Sequence, residues 1–279
     1  MKYIDLHTHS YYSDGSFSPT DLVLEAKKAN LSAIALTDHD NVDGVREAIL
    51  AGQKYGIEVI SGIEFSVKND VGETHILGYG IYTDNPILTE AIEKSKESRR
   101  QNNVRTAQAL QNLGIDITVE DARAISPKGL LGRAHFAKVM VNKGYVKSVK
   151  EAFDKYLQKG RPGYNSLRLF DAEETINIIH ASGGKAFLAH LHLTKLKGND
   201  LDEYVKELKS MGLDGIEGYY TEYDEKMERE YHSLAKKYSL LVSGGSDYHG
   251  SNKTDIKIGV GYGNLKIPYG LLEKIKNKK

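Results

Sequence analysis

Short apolar runs, most of them ending at or near a histidine or a carboxylate, recur along this chain, and this recurrence restricts the folds that it can adopt. Seven runs have the length and composition of β-strands, at residues 3–6, 33–36, 58–63, 75–79, 186–188, 215–217 and 240–243. Helical patterns separate most of them, which is typical of the βαβ units of a parallel sheet or barrel. The pattern therefore predicts an α/β protein.

The first run leads into His7-Thr8-His9. Side chains alternate along a strand, so both imidazoles are expected on one face, where they can ligate one metal ion. One such motif is a weak indication, but ligand-type residues recur, most of them just after predicted strands. The candidate metal ligands are His7, His9, Asp14, His39, Glu64, His75, His190, Asp247 and His249. In α/β barrels, residues at the carboxyl ends of strands converge on one face, which predicts a metal centre there.

The alternation of strands and helices stops after about residue 82. A long polar helix is predicted from Pro86 to about residue 113, and further helical segments follow at 118–124, 134–142 and 148–158 with no strand between them. The alternation resumes after Asp171, a suitable helix N-cap. We predict a barrel domain of residues 1–96 and 166–279, with a helical insertion at 97–165 that caps the substrate over one mouth of the barrel.

Composition excludes several classes of protein. The chain has no cysteine, which rules out thiolate metal sites and cysteine nucleophiles and suits a reducing cytoplasm. Its 38 basic and 38 acidic side chains balance, so net charge does not attract nucleic acid or anionic lipid. Neither a signal peptide nor a membrane-spanning run of about 18 apolar residues is recognisable. We predict a cytoplasmic protein without a membrane or an obligate protein partner.

The ligand types indicate the chemistry. Imidazoles and carboxylates without sulfur suit Zn²⁺, Mn²⁺ or Fe²⁺, and a carboxylate such as Glu64 can bridge two ions. Nine ligands exceed the need of one ion and fit two or three divalent ions. A hydroxide bridging such ions is a nucleophile at neutral pH, and the ions neutralise phosphate oxygens. The set therefore predicts phosphoester hydrolysis with no protein nucleophile.

The motifs, in this order, resemble those of the PHP superfamily, which is named after polymerase and histidinol phosphatase domains. The matching motifs are His7-Thr8-His9, Ser13-Asp14-Gly15, Leu36-Thr37-Asp38-His39-Asp40, Gly62-Ile63-Glu64, His75, Ala189-His190 and Gly245-Ser246-Asp247-Tyr248-His249. The middle of the chain resembles one branch, whose helical insertion carries Gly132-Arg133-x-His135; Ala134 stands here in place of an expected proline. That branch contains phosphatases of nucleoside monophosphates or 3′,5′-bisphosphates and exonucleases of short RNA.

This resemblance implies a distorted (β/α)₇ barrel with a trinuclear metal centre. The implied ligand sets are His7, His9, Glu64 and Asp247 for one ion, Glu64, His75 and His190 for a second, and Asp14, His39 and His249 for a third. Asp14 stands where some relatives have histidine, a change that we expect to favour Mn²⁺ or Fe²⁺ at the third ion. Arg133 and His135 are implied to bind the phosphate or ribose of the substrate, Arg133 through its planar fork.

Some residues keep a second interpretation. Asp14 could serve merely to cap the turn at Gly15, His75 could be a core histidine, and Arg133 could pair with an acidic neighbour. Asp38 and Asp40 are interpreted as residues behind the ligands that orient an imidazole.

Other side chains are candidates for substrate contact. His192 is a candidate substrate contact or acid. Among Tyr219, Tyr220 and Tyr223, one ring could stack on a base or all could pack in the interior. Arg99, Arg100 and Arg105 are interpreted as a solvated helix face rather than an RNA track.

These observations predict a metal-dependent phosphoesterase that removes a terminal phosphate from a small nucleotide, a 3′,5′-bisphosphate or monophosphate, by attack of a metal-bridging hydroxide. One alternative is a 5′–3′ exonuclease that acts on short RNA with the same centre. Another is a metal-binding module without catalytic activity, against which the presence of all nine ligands argues.

Overall fold

The computed structural model describes residues 2–68, 71–126, 129–165 and 170–277. The seven predicted strands are present and form one sheet in chain order: β1 (Ile4–Thr8), β2 (Ala33–Leu36), β3 (Glu58–Ser66), β4 (His75–Tyr79), β5 (Lys185–Leu188), β6 (Gly215–Tyr220) and β7 (Leu241–Gly245). Thr8 at the end of β1 forms a parallel bridge with Tyr248, just beyond β7. The first and last strands are thereby linked, and the predicted α/β fold with a distorted, nearly closed barrel is confirmed.

Helices connect most of the strands. In the described part of the chain the α-helices are α1 (Pro19–Lys28), α2 (Val45–Tyr55), α3 (Pro86–Gln111), α4 (Val119–Ile125), α5 (Arg133–Asn142), α6 (Val149–Ala152), α7 (Ala172–Ala181), α8 (Gly198–Ser210), α9 (Glu225–Lys237) and α10 (Gly270–Asn277). Helix α6 continues as a π-helix over Phe153–Leu157. Helix α7 begins where predicted, because the Asp171 carboxylate accepts a hydrogen bond from the Glu174 backbone N–H as an N-cap.

One strand runs against its neighbours. Strands β1 to β3 are parallel, as are β5 to β7, but β4 is antiparallel to both β3 and β5. Residues 67–74 are too few for the helical crossover that a parallel connection needs. The parallel pairing indicated by the sequence pattern therefore holds for every strand except β4. As a result, the first residue of β4, His75, lies at the same edge of the sheet as the carboxyl ends of the parallel strands.

The sheet is covered on both faces. In β2 the side chains alternate, so that Ala33 and Ala35 join one apolar cluster while Ile34 and Leu36 join another with α1 and α2. Ile34 and Leu36 are each 0 % exposed. Burial of a side chain of this size contributes about 1.5–3 kcal/mol, so this packing holds the ends of the strands in register.

The chain divides into two compact units. One comprises Met1–Ala91 and Phe170–Lys279 and contains the sheet, and the other, Ile92–Leu169, is helical. The helical unit has an apolar core of its own, whose fully buried members include Leu110, Ile117, Phe136, Met140 and Leu157. The boundaries predicted for the insertion and its role in capping the substrate stay predictions. Among the described helices, none combines the length and the hydropathy that a membrane span requires.

Candidate metal centre

All nine predicted ligands lie together at one edge of the sheet. His7, Glu64, His190 and Asp247 are in or just after strands that end there, and His75 opens the antiparallel β4. Their ligand atoms form four overlapping groups, each with all atoms within 4.8 Å of one another: His9, Asp14, His39 and His249; His7, Glu64 and His190; His7, His9 and Asp247; His39, Glu64 and His75. The structure therefore shows one continuous cluster.

Glu64 is at the centre of this cluster. Its Oε1 atom lies 2.8 Å from His75 Nδ1 and 2.9 Å from His190 Nε2. Its Oε2 atom lies 3.2 Å from His7 Nε2, 3.3 Å from His9 Nε2 and 3.0 Å from His39 Nδ1. The two oxygens of one buried carboxylate thus face different sets of imidazoles, which is the arrangement of a carboxylate that two ions can share.

Asp247 and Asp14 complete the two ends of the cluster. Asp247 Oδ1 lies 3.2 Å from His9 Nε2 and 3.6 Å from His7 Nε2. Asp14 Oδ1 lies 3.0 Å from His249 Nε2, and its Oδ2 is 4.0 Å from His39 Nε2. Asp14 lies in the turn at residues 11–14, but its carboxylate faces imidazoles and belongs to the cluster.

Several atoms of the cluster lack hydrogen-bond partners although they are buried. These atoms are His7 Nε2, His9 Nε2, Asp14 Oδ1, His39 Nδ1, Glu64 Oε2 and His190 Nδ1. A buried polar atom without a partner costs about 1–3 kcal/mol. Most of these atoms approach one another at 3.0–3.3 Å without hydrogen-bond geometry, as do ligand atoms whose lone pairs point at a common ion about 2.0–2.2 Å away. The residues present therefore fit divalent metal ions.

The charges of the cluster also favour cations. Burial opposes the ionisation of Glu64, but the imidazoles of His39, His7 and His75 outweigh it and hold its pKa well below the usual range. Burial likewise opposes protonation of His9, yet the neighbouring carboxylates of Asp247 and Glu64 raise its pKa to about 9. At His75 the Glu64 carboxylate outweighs burial in the same way and raises the pKa of the imidazole to about 9. Without metal, protons thus occupy part of the positions that ions would take.

At His39, burial outweighs the neighbouring carboxylates, so the pKa is lowered rather than raised. Burial lowers the pKa of this imidazole to about 3, and the neighbouring Glu64 and Asp14 carboxylates do not compensate for it. A neutral imidazole is the form that ligates a metal ion, so His39 is already in the ligating state at neutral pH.

Two of the ligands have unusual backbone conformations. His190 has φ +24° and Asp247 has φ +56°, although neither is glycine. A residue other than glycine in this region costs of order 1–3 kcal/mol and is found mainly at functional sites. The fold therefore bears a conformational cost that places the side chains of His190 and Asp247 in the cluster.

Residues behind the ligands hold them in place, and the sequence analysis did not assign this role to Glu217. Its Oε1 atom is 3.0 Å from His7 Nδ1, and its Oε2 accepts a hydrogen bond from the His190 backbone N–H at 2.7 Å. The signal available in the sequence was its position at the end of a predicted strand.

Asp5 was also missed. This fully buried carboxylate accepts hydrogen bonds from the backbone N–H groups of His7, Ser246 and Gly259 and from the Ser246 hydroxyl. It therefore ties β1 to the segment that carries Asp247.

Asp38 and Asp40 lie beside the cluster, and their predicted role in orienting an imidazole stays a prediction. Asp38 accepts hydrogen bonds from the Ser10 backbone and from the Ser10 and Ser13 hydroxyls, and Ser13 Oγ lies 3.4 Å from His9 Nδ1. Asp38 thus reaches the His9 imidazole through Ser13. The Asp40 backbone N–H donates to the Glu64 carbonyl at 3.0 Å, which fixes the end of β3.

The predicted substrate contacts have partners of their own. His192 Nε2 lies 2.9 Å from Glu222 Oε2. In the helical unit, Arg133 donates to the Leu157 carbonyl at 3.1 Å. His135 is 3 % exposed, and its Nδ1 accepts a hydrogen bond from the Gly132 backbone as part of the cap of α5. Their contact with substrate stays a prediction.

Two of the three tyrosines at the end of β6 and just beyond it pack in the interior. Tyr220 and Tyr223 are 3 % and 4 % exposed, and their hydroxyls bond to Asp247 Oδ2 and to the Leu191 backbone N–H, respectively. The Tyr219 ring contacts the His232 ring at 4.7 Å between centroids. Of the two interpretations left open, packing is therefore the one that the structure supports for Tyr220 and Tyr223.

Comparisons with known proteins agree with this geometry. Residues 5–199 match the model of the PHP domain family. A 5′-3′ exoribonuclease of Haemophilus influenzae is 33 % identical over 89 % of this chain and 90 % of that protein. A 3′,5′-nucleoside bisphosphate phosphatase of Chromobacterium violaceum is 31 % identical over 89 % of this chain and 88 % of that protein. A Bifidobacterium adolescentis protein provisionally described as a metal-dependent phosphoesterase is 25 % identical, with a TM-score of 0.86 over 98 % of this chain and 95 % of its own.

A nearly closed seven-stranded α/β sheet with a buried cluster of histidines and carboxylates at one edge defines a metal-dependent hydrolase. The chain belongs to the PHP domain family. The resemblance found in its motifs is confirmed, as is the prediction that it is an enzyme.

Proposed function

We propose that this protein removes a terminal phosphate from a small nucleotide, a nucleoside 3′,5′-bisphosphate or monophosphate, at a centre of two or three divalent ions. The observation that carries the proposal is the position of Glu64, whose Oε1 faces His75 and His190 and whose Oε2 faces His7 and His9 at 2.8–3.3 Å. A carboxylate in this position can join two ions, and paired ions are typical of phosphoester hydrolases.

Because the ligand groups of the cluster overlap, the assignment of ligands to single ions follows the motifs of the sequence. We propose that one ion takes His7, His9, Glu64 and Asp247, a second takes Glu64, His75 and His190, and a third takes Asp14, His39 and His249. Bound there, the ions would supply an activated water as the nucleophile and would neutralise the oxygens of the phosphate.

The side chains of the chain itself position the centre. Glu217 fixes the ring of His7, so that Nε2 faces the cluster. Asp247 directs Oδ1 to the cluster, while its Oδ2 accepts hydrogen bonds from the Tyr220 hydroxyl at 2.9 Å and from Lys253 Nζ at 2.6 Å. Because these groups are placed before a substrate binds, little reorganisation is needed during the reaction.

We further propose Mn²⁺ or Fe²⁺ at the third position. Asp14 supplies a carboxylate oxygen there, facing His249 at 3.0 Å. Oxygen ligands suit harder cations than imidazole alone does. Metal analysis of protein purified from cells supports this if Mn or Fe is present, and zinc alone would overturn it.

The nucleotide specificity rests on the comparison with the Chromobacterium phosphatase, together with Arg133 and His135 as proposed contacts of the phosphate or ribose. The Arg133 guanidinium stacks 4.8 Å from the centroid of the Tyr164 ring, which gives it a defined orientation. His192 is a third proposed contact. A cytoplasmic location remains part of the proposal and rests on the absence of cysteine.

A second function, 5′–3′ exonuclease activity on short RNA, is favoured by the name of the Haemophilus relative. Both reactions would use the same metal centre. They differ in the bond that is cleaved: a terminal monoester in one and an internucleotide diester in the other.

The deciding experiment uses full-length protein that has been stripped with a chelator and reloaded with Mn²⁺, Fe²⁺ or Zn²⁺. Release of phosphate from nucleoside 3′,5′-bisphosphates and monophosphates is compared with release of mononucleotides from 5′-phosphorylated RNAs of two to five nucleotides. We expect the bisphosphates to be hydrolysed with the highest kcat/KM.

A higher kcat/KM on the RNAs would assign the exonuclease function instead. If no phosphoester is hydrolysed with any of the three metals, the proposed function is wrong. Asp255→Ala, which alters an exposed carboxylate near the cluster in sequence, is the matched control for His9→Ala, and it should retain the activity that His9→Ala loses.

A further inference from the structure

A lysine that the sequence analysis did not single out lies against the metal cluster. Lys253 Nζ is 2.6 Å from Asp247 Oδ2, and its side chain is 40 % exposed. The other oxygen of that carboxylate, Oδ1, is 3.2 Å from His9 Nε2. A positive charge is therefore held one carboxylate away from the proposed ions, on the side that is open to solvent.

The turn that carries Lys253 is anchored to the segment that carries Asp14. The Ser251 backbone N–H donates to Ser16 Oγ at 2.7 Å, and the Asn252 side-chain amide donates to the Asp14 carbonyl at 2.7 Å. Gly250 has φ +65°, and a Cβ atom there would lie 2.2 Å from Ser16 Oγ, so glycine is required for this close approach. The position of Lys253 is thus set by the fold of two ligand-bearing loops.

The Lys253 ammonium group has more N–H donors than its hydrogen bond to Asp247 uses. A lysine ammonium carries three N–H groups, and Asp247 is its hydrogen-bond acceptor among the described residues. The partial exposure of the side chain leaves the remaining N–H groups open to an anion that enters the cluster.

We propose that Lys253 is a phosphate-binding residue of this centre, whose ammonium contacts a non-bridging oxygen of the bound phosphate while it remains paired with Asp247. The inference rests on the proposed function for the identity of the substrate, but it concerns the phosphate group alone. An ammonium suits this role because it is a compact charge with several donors.

A purely structural role for Lys253 makes a different prediction, and Tyr220 allows the two to be separated. The Tyr220 hydroxyl donates to the same Asp247 oxygen at 2.9 Å, but Tyr220 is 3 % exposed. Tyr220 therefore offers Asp247 a second hydrogen-bond donor, but one that is buried and uncharged. If Lys253 acted only by holding Asp247, removing either donor would have the same kind of effect.

The experiment is calorimetric titration of Mn²⁺-loaded, full-length protein with inorganic phosphate, together with a separate titration of the metal-free protein with Mn²⁺. We expect Lys253→Met to weaken phosphate binding by about tenfold or more, the loss of a hydrogen bond to a charged group, while Mn²⁺ affinity changes by less than about threefold. Lys253→Arg should restore most of the phosphate affinity. Tyr220→Phe should change Mn²⁺ affinity more than phosphate affinity.

Lys257→Met is the matched control, because it removes the same charge from an exposed residue of the same segment and should bind phosphate as the wild type does. Wild-type phosphate affinity in Lys253→Met would overturn the proposal, as would equal losses of both affinities in Lys253→Met and Tyr220→Phe. Failure of the wild type to bind phosphate would also overturn it. A wild type that binds phosphate through Lys253 but hydrolyses no nucleotide would contradict only the proposed function.

Discussion

Glu217 and His7 are in contact in the interior of the barrel unit, with 3.0 Å between Oε1 and Nδ1, and both side chains are 0 % exposed. A neutral imidazole that donates a hydrogen bond from Nδ1–H to a carboxylate presents the lone pair of Nε2, the atom that faces Glu64 and Asp247. The same carboxylate holds the backbone of His190. Glu217 therefore controls two proposed ligands that lie on different strands.

Replacement of Glu217 should weaken metal binding. In Glu217→Gln the amide has a similar shape but no charge, and its single oxygen can accept a hydrogen bond from His7 or from the His190 backbone but not from both. We expect the affinity for Mn²⁺ to fall about 10–100-fold, as measured by competition with a chelator. Glu225→Gln, an exposed change, should leave the affinity unchanged, and an unchanged affinity in Glu217→Gln would show that His7 needs no such partner.

Replacement of Asp247 should abolish turnover. Asp247→Ala removes a proposed ligand and leaves Lys253 without its carboxylate, so we expect kcat to fall by about a thousandfold or more. Far-ultraviolet circular dichroism should show that the fold is retained. Appreciable turnover by metal-free Asp247→Ala protein would refute the metal mechanism.

Metal binding should release protons and become tighter as pH rises. In the metal-free protein, neighbouring carboxylates raise the pKa of His9 and of His75 to about 9 despite burial. Below this pH an incoming ion must displace their protons, and above it the competition ends. We expect Mn²⁺ affinity to increase from about pH 6 to about pH 9 and then to level off. Calorimetry in buffers of different ionisation enthalpy measures the protons released, and a pH-independent affinity would contradict the prediction.

Removal of the Asp5 carboxylate should destabilise the barrel unit. Asp5→Ala leaves three backbone N–H groups and the Ser246 hydroxyl without their acceptor in a fully buried position. We expect the free energy of unfolding to fall by about 3 kcal/mol or more, as measured by urea denaturation of the metal-free protein. Asp255→Ala, on the surface, should change it by less than about 0.5 kcal/mol.

Replacement of Arg133 should raise KM. Arg133→Ala removes a guanidinium that stacks on Tyr164, and we expect KM for the nucleotide to rise about tenfold with little change in kcat, since a lost substrate contact affects binding alone. Arg133→Lys keeps the charge but loses the planar fork and should show an intermediate KM. Thermal unfolding of both variants tests whether the helical unit remains folded, and an unchanged KM in Arg133→Ala would remove this residue from the site.

The sequence was sufficient to predict the strands and the clustering of the nine ligands. Each strand is a short apolar run, and parallel strands bring their carboxyl ends to one edge, so the positions of His7, Glu64 and Asp247 followed from local pattern and general geometry. The caps of the helices were equally local, as at Asp171.

The antiparallel direction of β4 and the roles of Asp5, Glu217 and Lys253 were not predicted, because they depend on partners that are distant in the chain. Asp5 bonds to Ser246, 241 residues away, and Glu217 contacts His7 across 210 residues. A buried acidic residue near a strand end has no local signature that names its partner. Lys253 lies in a turn whose sequence resembles an ordinary surface loop.

The bridge between Thr8 and Tyr248 has a consequence for biosynthesis. Because synthesis runs from the amino end, His7 and His9 leave the ribosome long before Asp247 and His249. A nascent polypeptide therefore holds only a partial set of the proposed ligands, and full loading with metal would wait until the barrel can close.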